Sequence, residues 1–315
     1  MSDRAALFAF GAGWRLIRRM PERLAYLICS VVAQVAWLRQ GTGVRQLEDN
    51  FSRVFPQASP FALKSLSRKG MHSYLRYWCD VFRMADWSSE RILATCRAEG
   101  DEPVRQAVSE GRGVVMALAH QGNWDHAGAW AVRELAKVTT VAEHLTPEEL
   151  FRKFVAFRER LGLEVFPLAT GVEIFGILSR RLHEGGLVPL LVDRDLGANG
   201  VPVRFFGEQA RMAAGPAALA AATGAALFPV TIYYERLPPG VTARWGVVVR
   251  FHPEVVPAPG RPRSQQVEVM TQQCADALAA GIRAHPQDWH MLQRVFLDDL
   301  VPETPAGTPD SGRAS

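Results

Sequence analysis

The chain has little cysteine, and none of it is spaced for metal or redox work. Cys29, Cys79, Cys96 and Cys274 are scattered through 315 residues without a CxxC pair. That usage argues against a structural zinc site and fits a reducing compartment. Long apolar runs are missing as well. The most apolar stretch, LAYLICSVVAQVAWL from Leu24 to Leu38, is interrupted by Gln34 and falls short of the about 20 residues that a helical membrane span needs. It begins too late for a signal peptide, and no clean small-x-small site follows it. Also absent are the GxSxG elbow, the GxxxxGK[ST] loop, a GxGxxG after a strand, and HExxH. Their absence sets aside the common serine-hydrolase, P-loop, dinucleotide and zincin sites, and no metal is expected. No internal repeat is present.

What the chain does have is an uneven charge. Residues 1 to 45 hold seven arginines (Arg4, Arg15, Arg18, Arg19, Arg23, Arg39, Arg45) against Asp3 and Glu22, a net of +5, while the whole chain is +4. The rest is therefore about −1, and the basic excess is N-terminal, beside the apolar stretch. An interfacial helix whose arginines face an anionic membrane surface is the expectation. A buried helix with solvated arginines is the alternative. No nucleic-acid partner is expected.

Residues 1 to 100 form a helical membrane-contact or cover region in this reading. Apolar residues recur at helical spacing over Leu47 to Phe55 and Phe61 to Met84, broken by Pro56 and Pro60. Tyr74, Tyr77, Trp78 and Phe82 fall on one face of the second helix, as a core stripe or a lipid-facing one. From 101 to 300 strand-like runs alternate with amphipathic helices. Predicted strands are Val114 to Ala119, Val138 to Ala142, Glu164 to Leu168, Leu187 to Val192, Val203 to Phe206, Leu227 to Tyr234 and Trp245 to Phe251. Predicted helices are Trp124 to Leu135, Pro147 to Leu161, Val172 to Glu184, Gly215 to Thr223 and Ser264 to Ala284. This pattern predicts an α/β core with a central mixed, mostly parallel sheet flanked by helices. Residues 301 to 315 have the composition of a disordered tail.

The chemistry concentrates in GVVMALAHQGNWDHAGAW. His120 ends an apolar strand, Gly122 and Asn123 supply turn and N-cap residues, and Asp125 enters the first helical turn. Five positions on a regular helix span about 500°, so His120 and Asp125 meet only if His120 precedes the helix and the turn folds it back. A carboxylate on one ring nitrogen would then leave the other free as a base. A second His-x4-acid match, His144 and Glu149, reads as an ordinary helix start. A histidine base without an obvious protein nucleophile suits direct transfer: a hydroxyl loses its proton and attacks an activated acyl carbonyl, with backbone donors or an arginine holding the oxyanion.

HQGNWD preceded by GRGVVMALA, with the later block VDRDLGANGVPVRFFGEQARMAAGPAALAAATGAALFPV, resembles the bacterial lipid acyltransferases that include the lipid A late acyltransferases. TTVAEHLTPEELFRKFVAFRERLGLEVFPL and AHPQDWHMLQ narrow the resemblance to the actinobacterial phosphatidylinositol mannoside acyltransferases, from about residue 10 to residue 300. The resemblance implies transfer of a long acyl chain from acyl-CoA to a mannose hydroxyl of a mannosylated phosphoinositide lipid. It implies a peripheral protein on the cytoplasmic face of the cell inner membrane, with no metal or bound cofactor. It makes His120 the catalytic base and Asp125 its orienting partner. Asp193, in VDRDL, stands where a glutamate supporting the dyad is expected. Glu143 and Arg158 fall at the polar acceptor, and Trp289 and His290 in the segment closing over the sugar. CoA phosphates would meet arginines of the 152–160 helix or Arg211. The other readings are a lipid A-type or lysolipid acyltransferase using acyl carrier protein, a thioesterase, and a non-catalytic membrane-binding protein.

Overall fold

The computed structural model describes residues 11, 13–143, 147–168, 172–194, 200–238, 243–257 and 259–299. His144 and the tail from 301 lie outside them. After a short helix over 13–19, the N-terminal part is built from α1 (Glu22–Leu38), α2 (Thr42–Val54), α3 (Pro60–Met84) and α4 (Ser89–Ala94). The core continues through β1 (Cys96–Glu99), α5 (Glu102–Ser109), β2 (Val114–Leu118), α6 (Trp124–Glu134), β3 (Thr139–Ala142), α7 (Glu148–Arg160), β4 (Glu164–Pro167), α8 (Val172–His183) and β5 (Leu187–Leu191). It ends with β6 (Val201–Phe205), β7 (Glu208–Met212), α9 (Gly215–Thr223), β8 (Ala226–Arg236), β9 (Trp245–Phe251), α10 (Arg263–Ala284) and two 3₁₀ turns, Pro286–Asp288 and Leu297–Asp299.

The central sheet runs β1-β9-β8-β2-β5. β2 is parallel to both neighbours, β1 is parallel to β9, and only β8 and β9 are antiparallel. β2 shows why its sequence is uninterrupted by polar residues. Val115 and Ala117 enter one core with α2, α8, α9 and α10, while Val114, Met116 and Leu118 enter another with α3 to α7. A strand covered by helices on both faces needs apolar side chains at every position. The mixed α/β sheet is the one its alternating pattern predicts.

Three parts of the chain depart from expectation. β1 is a strand inside a stretch expected to be helical throughout. It is a short edge strand whose outward residues are held by ions, Arg97 on Glu235 and Arg250 on Glu99, so its four residues carry little apolar signal. The predicted strand at Val203 to Phe206 lies outside the central sheet, in a hairpin of β6 with β7. Its two-residue turn, Phe206 at φ 55° and Gly207 at φ 94°, has the doubly positive φ of a type I′ connection. β3 and β4 form their own parallel pair, tied to the sheet by one bridge, Val138 to Leu187.

α1 presents two unlike sides. Ala25, Cys29 and Ala33 are buried, with Cys29 packed beside Cys79 of α3. Leu24, Leu27, Val31, Val35 and Leu38 recur three or four apart and stay exposed. No helix among the described residues is long and apolar enough to cross a membrane.

His126, on the buried side of α6, donates from Nε2 to the Ile92 carbonyl at 3.2 Å and lies edge-on to Trp87. Burial, with help from the charges of Arg91 and Arg133, pushes this imidazole down to about 4. An unfolded histidine titrates near 6.5, so between those values the unfolded chain binds a proton that the native state refuses, and stability falls as the pH falls. We expect His126→Gln to remove up to about 2 kcal/mol of the stability lost between pH 7 and pH 5, read from urea melts of both proteins at the two pH values.

Candidate active site

Strand register brings the site together. Leu118 of β2 pairs with Leu191 of β5, so the residues two beyond each, His120 and Asp193, leave the same sheet edge side by side. That edge is the carboxyl end of the parallel strands, where open α/β sheets bind ligands. The turn after β2 is tightly seated: Gly122 adopts φ 64°, and a Cβ there would lie 2.5 Å from the Ile232 carbonyl oxygen. Asn123 caps α6 by accepting from the His126 amide at 3.0 Å, and donates to Asp80 at 3.2 Å.

Asp193 holds His120 at two points. One carboxylate oxygen accepts from the His120 ring Nδ1 at 2.7 Å; the other accepts from the His120 amide at 3.0 Å and from Trp289 Nε1 at 2.9 Å. Burial would raise this carboxyl, but the charge and hydrogen bonds of His120 and the Trp289 donor outweigh it and hold the carboxyl below its ordinary value. A carboxylate that is ionised and fully committed places the ring proton on Nδ1, which leaves Nε2 as the basic nitrogen. The Asp193 side chain is 0% exposed and that of His120 is 25% exposed, so the acid is sealed while the imidazole reaches the surface of a cavity.

Asp125 does other work. It accepts from Arg158 Nε of α7 at 2.7 Å and from the Tyr77 hydroxyl of α3 at 2.9 Å. His120 precedes the helix and Asp125 sits in its first turn, so the two side chains diverge onto different partners. The expectation that Asp125 orients His120 is therefore corrected: Asp193 contacts Nδ1, and Asp125 fixes a guanidinium. Burial disfavours the Arg158 charge, yet Asp125 and Tyr77 hold the group firmly protonated.

His120, Asp125, Arg158, Glu143, Arg194 and Trp124 form the polar end of a cavity of about 430 Å³. Its remainder runs between the sheet and the helices over residues such as Met116, Leu118, Trp130, Leu178, Leu190 and Ile232. The lining is apolar enough for a hydrocarbon chain. Among the described residues that line it there is no serine or cysteine, and the threonine among them, Thr140, donates its hydroxyl to the Pro189 carbonyl. The His120 imidazole thus faces an apolar slot whose described lining holds no serine or cysteine.

Comparison with known proteins agrees with that geometry. The family described as bacterial lipid A biosynthesis acyltransferase matches residues 1–298. The chain belongs to this acyltransferase family. It is 42% identical over 295 residues to the phosphatidylinositol mannoside acyltransferase of Mycolicibacterium smegmatis, covering 93% of this chain and 92% of that one. It is 40% identical over 299 residues to the protein of the same description from Mycobacterium tuberculosis, covering 93% and 89%.

The other expected residues of this family member divide by depth. Glu143 lines the cavity mouth and is held by Arg194 Nη2 at 2.5 Å. Trp289 and His290, expected over a sugar, are buried beneath the His120 turn instead. Trp289 pairs with Gln121 and donates to Asp193, while the His290 amide donates to the His120 carbonyl at 2.7 Å. The amide of Gly122 likewise donates to the Asp288 carbonyl at 2.8 Å, so the segment clamps the turn from below. These residues position the imidazole; their burial keeps them from forming a platform for a sugar. Of the predicted basic helix, Arg152 and Lys153 lie against Glu148 and Glu149 on the outer face, and Arg158 alone turns into the cavity.

Tyr77, Trp124, Arg194 and Asp288 were missed as site residues. Tyr77 had a signal, since it belongs to the aromatic stripe of α3, which proves to be a core stripe. The hydroxyl's acceptor is what the pattern does not disclose. We expect Asp125→Ala to destabilise the protein by about 3–5 kcal/mol, because it strands a buried guanidinium. In denaturant melts, adding Arg158→Met to that variant should recover much of the loss.

Proposed function

We propose that this acyltransferase moves a long acyl chain from acyl-CoA to a mannose hydroxyl of a phosphatidylinositol mannoside, with His120 as the general base. The observation that carries this reading is the His120 imidazole, held at Nδ1 by a sealed Asp193 and turned toward an apolar cavity. The curated relatives, named for that acceptor, support the substrate class.

The acyl chain lies in the slot with its thioester carbon at the polar end. His120 Nε2 takes the proton of the acceptor hydroxyl as the oxygen attacks that carbon. The resulting imidazolium is stabilised by the Asp193 carboxylate. Arg158, fixed by Asp125 and Tyr77, supplies a positive charge for the tetrahedral oxyanion. Collapse expels the CoA thiolate, which takes the proton from His120. The products are the ester and free thiol, and the enzyme returns unchanged without an acyl-enzyme. Glu143 and Arg194 at the mouth offer one acceptor and one set of donors for sugar hydroxyls. The exposed apolar stripe of α1, beside an arginine-rich N-terminal region, supports peripheral contact with the cytoplasmic face of the inner membrane.

Mass spectrometry of products from palmitoyl-CoA or palmitoyl-acyl carrier protein, offered with mannosylated and lyso acceptors, tests the assignment. Transfer from the CoA thioester to the mannosylated lipid is the expected result. A requirement for the carrier protein places the chain with the lipid A-type or lysolipid enzymes, and thiol release that acceptor does not accelerate makes it a thioesterase. His120→Ala and Asp193→Asn should each lower kcat by about 10²–10⁴-fold, with the thermal midpoint of His120→Ala preserved.

A further inference from the structure

A second and larger depression, of about 1460 Å³, lies between α1, α3 and the far end of the β8–β9 ladder. The topology places it at the same end of the parallel strands as His120. Leu118 at the end of β2 pairs with Val230, and β8 continues to Arg236, so the last turns of the ladder overhang the catalytic edge. The wall between the two sites is thin. Ser73 and Asp288 line the depression. Ser73 donates to Asp288 at 2.5 Å and meets His290 Nε2 at 2.9 Å, and His290 in turn donates to the His120 carbonyl.

The depression is lined by Arg23, Arg68, Lys69, Arg76, Arg236 and Arg244. Its acids are few and already engaged. Glu22 pairs with Arg91, and Asp288 is buried, taking hydrogen bonds from Ser73, the Tyr234 amide and Gln287. Among the described residues, no ion pair engages Arg23, Lys69, Arg76, Arg236 or Arg244. Arg76 and Arg236 instead both stack on Trp245, at 3.7 and 4.1 Å from its ring centroid. Two guanidinium groups on one indole, with Arg244 beside them, repel each other. Burial and then the charges of Arg244 and Arg76 lower the Arg236 guanidinium from its ordinary value. Cations gathered this way without ion-pair partners of their own are relieved by an anion with several oxygen acceptors.

Leu27, exposed on α1, lines the same depression. It belongs to the outward stripe of Leu24, Val31, Val35 and Leu38, with Phe61 of α3 also exposed. Apolar side chains thus run directly into the basic lining, the order of groups met on leaving the acyl layer of a membrane for its headgroups. We propose that this depression is a binding site for the phosphate of an anionic membrane phospholipid, with the lipid's chains along α1. The proposal rests on the reading that the enzyme works at a membrane surface. It adds a specific headgroup seat, one layer of side chains from the catalytic imidazole.

The test is sedimentation of the full chain with vesicles of phosphatidylcholine alone or mixed with phosphatidylglycerol. Binding should be strengthened by phosphatidylglycerol, and Arg236→Gln/Arg244→Gln should weaken that binding roughly 30-fold, from about 1 kcal/mol of headgroup attraction per charge. A control removing two exposed arginines outside the depression, Arg180→Gln/Arg261→Gln, should stay within about twofold, because neither lines it. Arg68→Gln/Lys69→Gln on α3 provides a second pair should the first fail to fold, as checked by its thermal midpoint. Equal losses in groove and control variants, or binding indifferent to phosphatidylglycerol, would overturn the proposal. So would displacement of the protein from the mixed vesicles by adenosine 3′,5′-bisphosphate, which would assign the seat to a soluble nucleotide. His120→Ala protein in the same assay should bind like the parent, so failure of the acyl-transfer reading and failure of this one are separately visible.

Discussion

The arrangement depends on keeping one carboxylate ionised where water does not reach. Asp193 sits at the end of β5 with no exposed surface, and burial alone would favour its neutral form. Three N–H groups from two other segments reverse that preference: the ring and amide of His120 and the indole of Trp289. The same bonds that stabilise the charge also fix the imidazole's position and tautomer. The charge of the acid and the placement of the ring are therefore secured by a single set of contacts. Losing any donor would weaken both.

Around that centre, buried acids act as fasteners. Asp80 accepts from Tyr26 of α1, Tyr234 of β8 and the Asn123 cap of α6. Asp288 joins α3, β8 and, through its carbonyl, the turn at Gly122. Asp125 joins α6 to α7 and α3. Each carboxylate spans elements remote in sequence, so the His120 turn is located by the whole architecture. Such polar networks are costly when partly satisfied and rigid when complete, which suits a turn that must present one ring nitrogen to a cavity.

The alternating strands and helices were legible because apolar runs of strand length and helical spacing are local properties. Asn123 as the cap and Trp124 as the helix start were legible for the same reason. Pairing of side chains was less so. Asp125 is near His120 in the chain and was assigned to it, yet Asp193 reaches the ring because β2 and β5 are in register. Nothing local in VDRDL reveals that register. Trp289 and His290 illustrate the same limit: an aromatic and a histidine near a chain end resemble a surface platform until the burial around them is known. β1 and β7 were missed because four or five residues with outward charges imitate a loop.

The clamp beneath the turn has a consequence for biosynthesis. Asn50 donates to the Met291 carbonyl across 241 residues, and Trp289 completes the Asp193 carboxylate. The parts that restrain the His120 turn therefore lie as far apart in sequence as residues 50 and 291. An emerging nascent chain carries its imidazole long before it carries the groups that restrain it. The ring is fully restrained only after Trp289 has been made and folded back onto Asp193.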